Sequence, residues 1–593
     1  MSAEKLITDH IEIWTSTVKA KSASGRGSSK KRELYGIKKL RELILELAVR
    51  GKLVPQNPSD EPASVLLERI AEEKAQLVKV KEIPKTKPLP AISPDEIPDD
   101  LPAGWSMVRL GEIVTKMGSG STPRGGQKAY VDDGVIFLRS QNVWNEGVRL
   151  DDVAYISDEV HQKMSNTKVL PGDVLLNITG ASLGRTTIFP SDFVEANVNQ
   201  HVTIIRLIEL EMNKFVHLGL MSPMVQKLVW GRQVGMAIEG LSKKVLEQFE
   251  YPIPPINEQH RIVAKVDELM ALCDQLEQQT EACIEAHQVL VTTLLDTLTN
   301  SADADELMQN WARISEHFDT LFTTEESIDQ LKQTILQLAV MGKLVPQDPN
   351  DEPAAQLLER IAEEKAKLIK EKKIKKQKAL PPIADDEKPF ELPKGWEWAR
   401  IFDASLFSEY GSSEKTVTEL PDGVPVLKMG DIQAGKVILR EHQVVSAQIE
   451  DLPNLYLKFG DVLYNRTNSA ELVGKTGMFK GEDDVYTFAS YLIRIRCSFN
   501  NVMPEYLSLS MNTPLFRKTQ IEPHIKQQCG QANVNGTLMK HMLVSVPPVR
   551  EQARLMAKTK ELLSFCEQLK QRLRDSQQTQ LQLTDAIVEQ AIV

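Results

Sequence analysis

The stretch Gly51 to Leu77, GKLVPQNPSDEPASVLLERIAEEKAQL, returns almost intact as Gly342 to Leu368, GKLVPQDPNDEPAAQLLERIAEEKAKL. The two agree at 22 of 27 positions under a constant offset of 291, which chance does not produce. The same offset carries Leu101-Pro102-Ala103-Gly104-Trp105 onto Leu392-Pro393-Lys394-Gly395-Trp396. Farther on, PPINEQHRIVAKVDELMALCDQLEQQ from Pro254 matches PPVREQARLMAKTKELLSFCEQLKQR from Pro547, now offset by 293. Between these segments the halves diverge and share only isolated words, such as Gly172-Asp173-Val174-Leu175 and Gly460-Asp461-Val462-Leu463. Each half is therefore a similar frame around a dissimilar insert of about 150 residues, an ordinary domain size. A duplicated frame with two different inserts points to one mechanical task performed on two targets.

Working outward, the frame reads as helix. Ile262, Val266, Leu269, Cys273 and Leu276 alternate steps of four and three, the seam of a coiled coil. Leu555, Leu562, Cys566 and Leu569 repeat that register in the second copy. The seam weakens at Thr280 and His287 and resumes with Leu290 and Leu294. A helix from Glu258 to Leu298 would span about 60 Å at about 1.5 Å per residue. Neither seam is stable alone, so the economical solution pairs the two helices antiparallel about a pseudo-twofold axis. Leu40, Leu43, Ile44, Leu47 and Ala48 form another apolar face, duplicated in Leu331, Ile335, Leu338 and Ala339. Those helices end at Gly51 and Gly342, where a C-terminal glycine is expected. The stretches Lys81–Pro102 and Lys370–Pro393, rich in proline and lysine, read as exposed, mobile linkers.

The inserts read as strand-rich α+β domains. Expected strands include Gly134–Arg139, Gly172–Leu176, Val202–Leu207 and Tyr491–Arg496. Helical stretches are expected at Lys214–Val229 and Pro504–Lys518. The organisation is then 1–103 as helical region and linker, 104–256 and 395–548 as inserts, 257–394 as central frame and 549–593 as closing helix. The fold class is α+β, an internal tandem duplication with long antiparallel coiled-coil helices between the two inserts.

Five scattered cysteines form no CxxC pair, and no apolar run reaches the roughly 20 residues of a membrane span. The N-terminus has no uninterrupted apolar core of a secretory signal, so a cytoplasmic protein with reduced thiols is expected. Catalytic patterns fail on inspection. Leu472-Val473-Gly474-Lys475-Thr476 resembles the end of a P-loop, but Ser469 stands where the earlier glycine is needed. Gly180-Ala181-Ser182-Leu183-Gly184 matches a nucleophile elbow, yet Thr186 to Pro190 reads as a strand where a helix must follow. No dinucleotide fingerprint, amino-methylation quartet or HExxH is present. The chain reads as a binder without its own cofactor.

Polar strand exits are the positive signal. Insert one offers Ser119, Ser121, Arg124 and Lys128 in one loop, and Arg139, Gln141 and Asn142 in a second. Asn177, Thr179, Ser182 and Arg185 form a third, and Asn199 and Gln200 a fourth. Insert two offers Ser412, Ser413 and Lys415, then Lys428 and Asp431, then Asn465, Arg466, Thr467, Asn468 and Lys475. Arginine suits guanine, Asn and Gln suit adenine, and hydroxyls and lysines suit phosphate. The net charge of −11 opposes a nucleic-acid partner, but residues 104–256 hold 15 basic and 16 acidic groups, and 395–548 hold 15 and 17. Most of the negative charge lies in the frame, and much phosphate affinity would have to come from a partner.

Taken together, ELAVRGKLVPQ and QLAVMGKLVPQ, the Gly-Trp starts of the inserts, PGDVLLNITGASLGR and the Glu-Gln-x-Arg helix starts at Glu258 and Glu551 resemble the specificity subunits of type I restriction-modification systems. The resemblance covers essentially the whole chain, including the extended N-terminal region of some members. It implies that each insert is a target recognition domain reading one half of a split, asymmetric site in double-stranded DNA. The paired helices would fix the spacer between halves. Two modification subunits would dock on the frame and bring S-adenosylmethionine for adenine-N6 methylation. A translocating restriction subunit would add ATP- and Mg²⁺-dependent cleavage. The competing reading is a coiled-coil adaptor whose inserts bind protein partners.

Overall fold

The repeated words turn out to be the joints of the frame. The computed structural model describes residues 3–20, 32–233, 240–302, 304–528 and 531–592. It divides into two compact units, Met1–Cys283 with Ser576–Val593, and Ile284–Asp575. Two helices run through both, Ile256–Asn300 of 45 residues and Val549–Ile592 of 44.

In the first unit, helix Tyr35–Val49 buries Ile37, Leu40, Leu43, Ile44, Leu47 and Ala48. The predicted seam residues Ile262, Val266, Leu269, Cys273 and Leu276 join the same core, with Ile587 of the closing helix. Arg41 pairs with Asp274 at 2.7 Å, while Asp60 farther along the chain meets Arg261 at 2.7 Å, so the two segments are antiparallel. Tyr35 donates to Asp585 at 2.8 Å and Lys52 to the Ile592 carbonyl at 2.8 Å, so the closing helix runs parallel to Tyr35–Val49. The beginning of one long helix and the end of the other are thus antiparallel within this unit, each covering an apolar stripe that neither could bury alone.

The second unit repeats the arrangement with the roles exchanged. Helix Glu325–Val340 meets the closing helix through Glu325–Arg574, Asp329–Lys570 and Lys332–Glu567, an antiparallel ladder. Gln330 donates to Thr292 at 3.0 Å and Lys343 to the Thr299 carbonyl at 2.8 Å, a parallel one. Val291, Leu295, Leu298, Ile328, Leu331, Ile335, Leu338 and Cys566 make the core. One expectation fails here. Leu290 is 50% exposed, and the seam resumes at Val291, fifteen positions after Leu276 instead of fourteen. The extra residue shifts the heptad register by one position, within the polar stretch where His287 bonds the Leu321 carbonyl at 3.0 Å.

Each insert is bolted to the frame through equivalent residues. Gly51 (φ +65°) and Gly342 (φ +70°) end their helices in the left-handed turn. A Cβ there would lie 2.4 Å from Pro102 and 2.5 Å from Pro393, so the glycines also admit the Leu-Pro segment. Trp105 and Trp396 are buried beside them, and the Trp396 indole donates to Glu551 at 3.0 Å. Gln259 and Gln552 each donate to the carbonyl of the first proline of their Pro-Pro pair at 2.9 Å. Arg261–Asp60 and Arg554–Asp351 close the joint. Burial raises the Glu258 and Glu551 carboxyls above their ordinary range.

The linkers are exposed, as expected, but they are straps tied down midway. Arg109 grips the first: it donates to the Pro90 and Ala91 carbonyls and pairs with Glu96 and Glu250, each at 2.7 Å. Arg400 holds the second through the Pro381 and Pro382 carbonyls and Glu387. The Ser93 backbone N–H and the Arg109 guanidinium hold Glu96 down to about 2. Its contribution is complete above 4.5, its ordinary value, and is lost as pH falls from there toward about 2. Arg109→Ala should leave these groups unpaired and release the strap. Limited proteolysis within 81–102 should then be fast at neutral pH, and in the parent chain only in acid.

Insert one contains a five-stranded and a four-stranded sheet. The second runs Thr186–Ile188, Val174–Asn177, Val202–Leu207, Val114–Ser119, all antiparallel. Insert two has a six-stranded sheet with two three-stranded ones. Predicted strands fall where expected, at Val135–Leu138, Val174–Asn177, Val202–Leu207 and Leu492–Arg496. The predicted helices are each broken in two. Pro223 restarts the first behind the Ser222 cap, and Pro514 the second behind Thr513, because proline cannot continue the preceding hydrogen-bond ladder.

Beneath divergent sequences the inserts share one skeleton. Gly120 N–H bonds Val202 and Ser121 N–H bonds Val198; Gly411 bonds Leu492 and Ser412 bonds Phe488 in the same places. Asn177 bonds Arg185 as Asn465 bonds Lys475, and Arg149 bonds Asn142 as Ile438 bonds Asp431. The shared Gly-Asp-Val-Leu word is structural: buried Asp173 pairs with Arg206, and buried Asp461 with Arg496.

Candidate nucleic-acid interface

Strand register brings the polar loops of insert one to a common edge. Ser119 lies opposite Thr203, Asn177 opposite Val202, and Val198 opposite Leu138. The chain leaves or enters the sheets at all these points, so the four loops emerge side by side. A polar row ties three of them together. Thr122 bonds Gln200, Gln200 lies 3.3 Å from the His201 Nε2, and the His201 Nδ1 lies 2.6 Å from Thr179. Gln200 is exposed, and Thr179, Ser182, Arg185 and Asn199 are half-buried. Ser119, Ser121, Arg124 and Lys128 are exposed on the first loop. Arg124 and Lys128 join the row through no hydrogen bond or ion pair among the described residues.

Four candidates in the second and third loops are engaged by the domain itself. Asn142 is buried, accepts the Arg139 N–H at 2.9 Å and donates to the Arg149 carbonyl at 2.9 Å. Asn177 is buried and donates to the Ser140 carbonyl at 2.8 Å. Arg139 donates to the Asp152 carbonyl, with the Asp152 carboxylate 3.3 Å away. Gln141 is exposed, and its amide meets Asp152 at 2.5 Å.

The second insert presents the same edge differently. Ser413 and Lys415 are exposed. Ser412 is buried, donating to Asp451 at 3.0 Å. Lys428 reaches Thr416 at 2.8 Å and Gln443 at 2.6 Å. Asp431 is buried, accepting the Lys428 N–H at 2.7 Å and pairing with Arg440 at 2.8 Å. It also lies 3.4 Å from His442, whose imidazole burial holds below its ordinary range. Asn465 is buried, and Lys475 is half-buried in the turn that follows it. Arg466 sits 5.1 Å over the Tyr410 ring, while Thr467 and Asn468 pair as a short strand with Asn533 and Ala532. Asn142, Asn177, Ser412, Asp431 and Asn465 are thus building residues of the edge.

Sequence reasoning passed over Trp144, Arg149, Tyr410 and Gln443. Trp144 is the most informative. The Arg149 and Arg185 guanidinium carbons lie 3.7 and 3.8 Å from its ring centroid.

The family profile described as Type I restriction modification DNA specificity domain matches residues 102–286. The specificity subunit of the type I restriction enzyme EcoEI of Escherichia coli is 41% identical over 605 aligned positions, covering the whole of both chains. This chain belongs to the type I specificity subunits. The EcoAI specificity subunit of Escherichia coli matches equally, 41% over the full length of both. A solved HsdS subunit from Thermoanaerobacter tengcongensis overlays at a TM-score of 0.41 and 17% identity, across 83% of this chain and 97% of that one.

The catalytic look-alikes of this specificity subunit have structural explanations. Ser182 closes a short 3₁₀ turn, Gly180–Ser182, and strand Thr186–Ile188 follows instead of a helix. Lys475 leads directly into strand Thr476–Met478. Among the described residues no group of three or more His, Cys, Asp or Glu is placed to hold a metal, and no helix is long and apolar enough to cross a membrane.

Proposed function

We propose that residues 104–256 and 395–548 are two target recognition domains, each reading one half of a split site in double-stranded DNA. The observation that carries this reading is the pairing of one backbone skeleton with two sets of exposed side chains at the same strand exits. Common geometry presents each edge to a groove; different side chains there read different bases. The chain itself performs no reaction in this account. Two modification subunits dock on the helical frame, which sets the spacer, and supply S-adenosylmethionine and the adenine-N6 methyl transfer in the cytoplasm. Base flipping belongs to those subunits, and a restriction subunit supplies ATP- and Mg²⁺-dependent translocation and cleavage.

Near-neutral inserts predict weak DNA binding by the chain alone and tight binding by its complex with modification subunits. The complex should lose roughly 10³- to 10⁵-fold in affinity between about 50 and 200 mM salt, as expected for six to ten phosphate contacts. Fluorescence anisotropy on a duplex carrying the split site measures this. Binding without sequence preference, or unaffected by salt, would favour a protein adaptor instead.

A further inference from the structure

Trp144 stands at the tip of the hairpin Val143–Trp144 and Gly147–Val148, and three hydrogen bonds fix it. Its indole N–H donates to the Gln141 carbonyl at 2.7 Å, the Arg149 N–H to the Asn142 carbonyl at 2.9 Å, and the Thr186 N–H to Asn145 at 3.0 Å. The last bond pins the hairpin to the strand that leaves the Arg185 turn. Two guanidiniums so close to one ring centroid cannot share a face, so Arg149 and Arg185 sandwich the indole. Arg149 has Glu146 3.6 Å away. The Arg185 guanidinium has no hydrogen bond or ion pair among the described residues. It is a half-exposed cation held flat by stacking, with its N–H fork unused.

We propose that Arg185, oriented by Trp144, reads a guanine in the half-site of insert one. This rests on the DNA-reading function proposed above. A phosphate contact needs only charge and tolerates a flexible lysine, whereas a fork held in one plane suits bidentate recognition of guanine O6 and N7. Glu146 and Asp152 on the neighbouring loop offset the charges of Arg149 and Arg139, so the loop adds no excess positive charge to favour a phosphate. The second insert lacks the device. Hydrogen-bond equivalence places Gln433 at the Trp144 position, Ile438 at Arg149 and Lys475 at Arg185. The two domains therefore read DNA with different chemistry at this point.

The test uses the complex of the full chain with its modification subunits and S-adenosylmethionine on a duplex library randomised across the site, with methylation read by sequencing. Arg185→Ala, Arg185→Lys and Trp144→Ala should each cut discrimination at one G·C pair of one half-site by roughly 10- to 100-fold. The remaining positions of the same half-site should keep their discrimination, which shows that insert one is folded in the variants, and the other half-site should be unchanged. Uniform loss over all sequences with the motif intact would assign Arg185 to phosphate and overturn the proposal. So would an unchanged motif, or Arg185→Lys behaving as wild type. A wild-type complex that methylates no split motif would instead remove the DNA-reading premise itself.

Discussion

Exchanging residues 104–253 for the corresponding insert of an unrelated specificity subunit should change one half of the methylated site and leave the other half and the spacer intact. The geometry at the joint makes the exchange clean. The first and last strands of the insert, Ser106–Arg109 and Glu250–Ile253, pair with one another antiparallel, so the insert leaves the frame where it enters it. The frame side of the joint consists of Gly51, Pro102, Gln259 and the Asp60–Arg261 pair, all outside the exchanged segment. Glu250, one of the Arg109 partners, travels with the insert, so the strap clamp is rebuilt only if the donor supplies the same Arg–Glu pair. Methylation mapping of the chimaera reads both halves at once. A change in both would contradict the separation of reading from scaffolding.

Adding one heptad after Leu276 and one after Leu569 should lengthen the unread spacer by about three base pairs without altering either half-site. Seven helical residues add about 10 Å, and base pairs rise about 3.4 Å. A heptad returns each seam to its own face, so the cores around Cys273 and Cys566 keep their partners. Adding it to one helix only should break the pairing, and methylation should fall by roughly tenfold or more, the penalty of about 1.4 kcal/mol or greater. Methylated motifs from the doubly extended chain decide the matter. An unchanged spacer, or altered bases in either half, would contradict a ruler made of these helices.

The frame was legible in the sequence because duplication marked it and apolar spacing fixed which face is buried. The one-residue register shift was not, since Leu290 and Val291 are equally apolar and only packing chooses between them. In the inserts, polar residues after strands looked alike whether they read DNA or hold a turn. The difference lies in comparing the two inserts. Asn142 matches Asp431 and Asn177 matches Asn465, and at both positions the polar group is buried and bonded to the chain. Gln141 matches Gly430, Trp144 matches Gln433 and Arg185 matches Lys475, and these differing positions are exposed or half-exposed. That comparison needs the structural alignment, because sequence identity between the inserts is too low to set the register. The Arg149–Trp144–Arg185 sandwich was hidden for another reason. It joins residues 41 positions apart, from 144 to 185, through a hairpin of two-residue strands that carries no alternating pattern.

Under the proposed function, this chain gives a methylating complex its target sequence. Mapping adenine-N6 methylation across the genome, with the gene intact and deleted, tests it most directly. Deletion should abolish one split motif, methylated on both strands, and complementation should restore it. An unchanged methylation map, in cells shown to express this chain and its partner subunits, would contradict it.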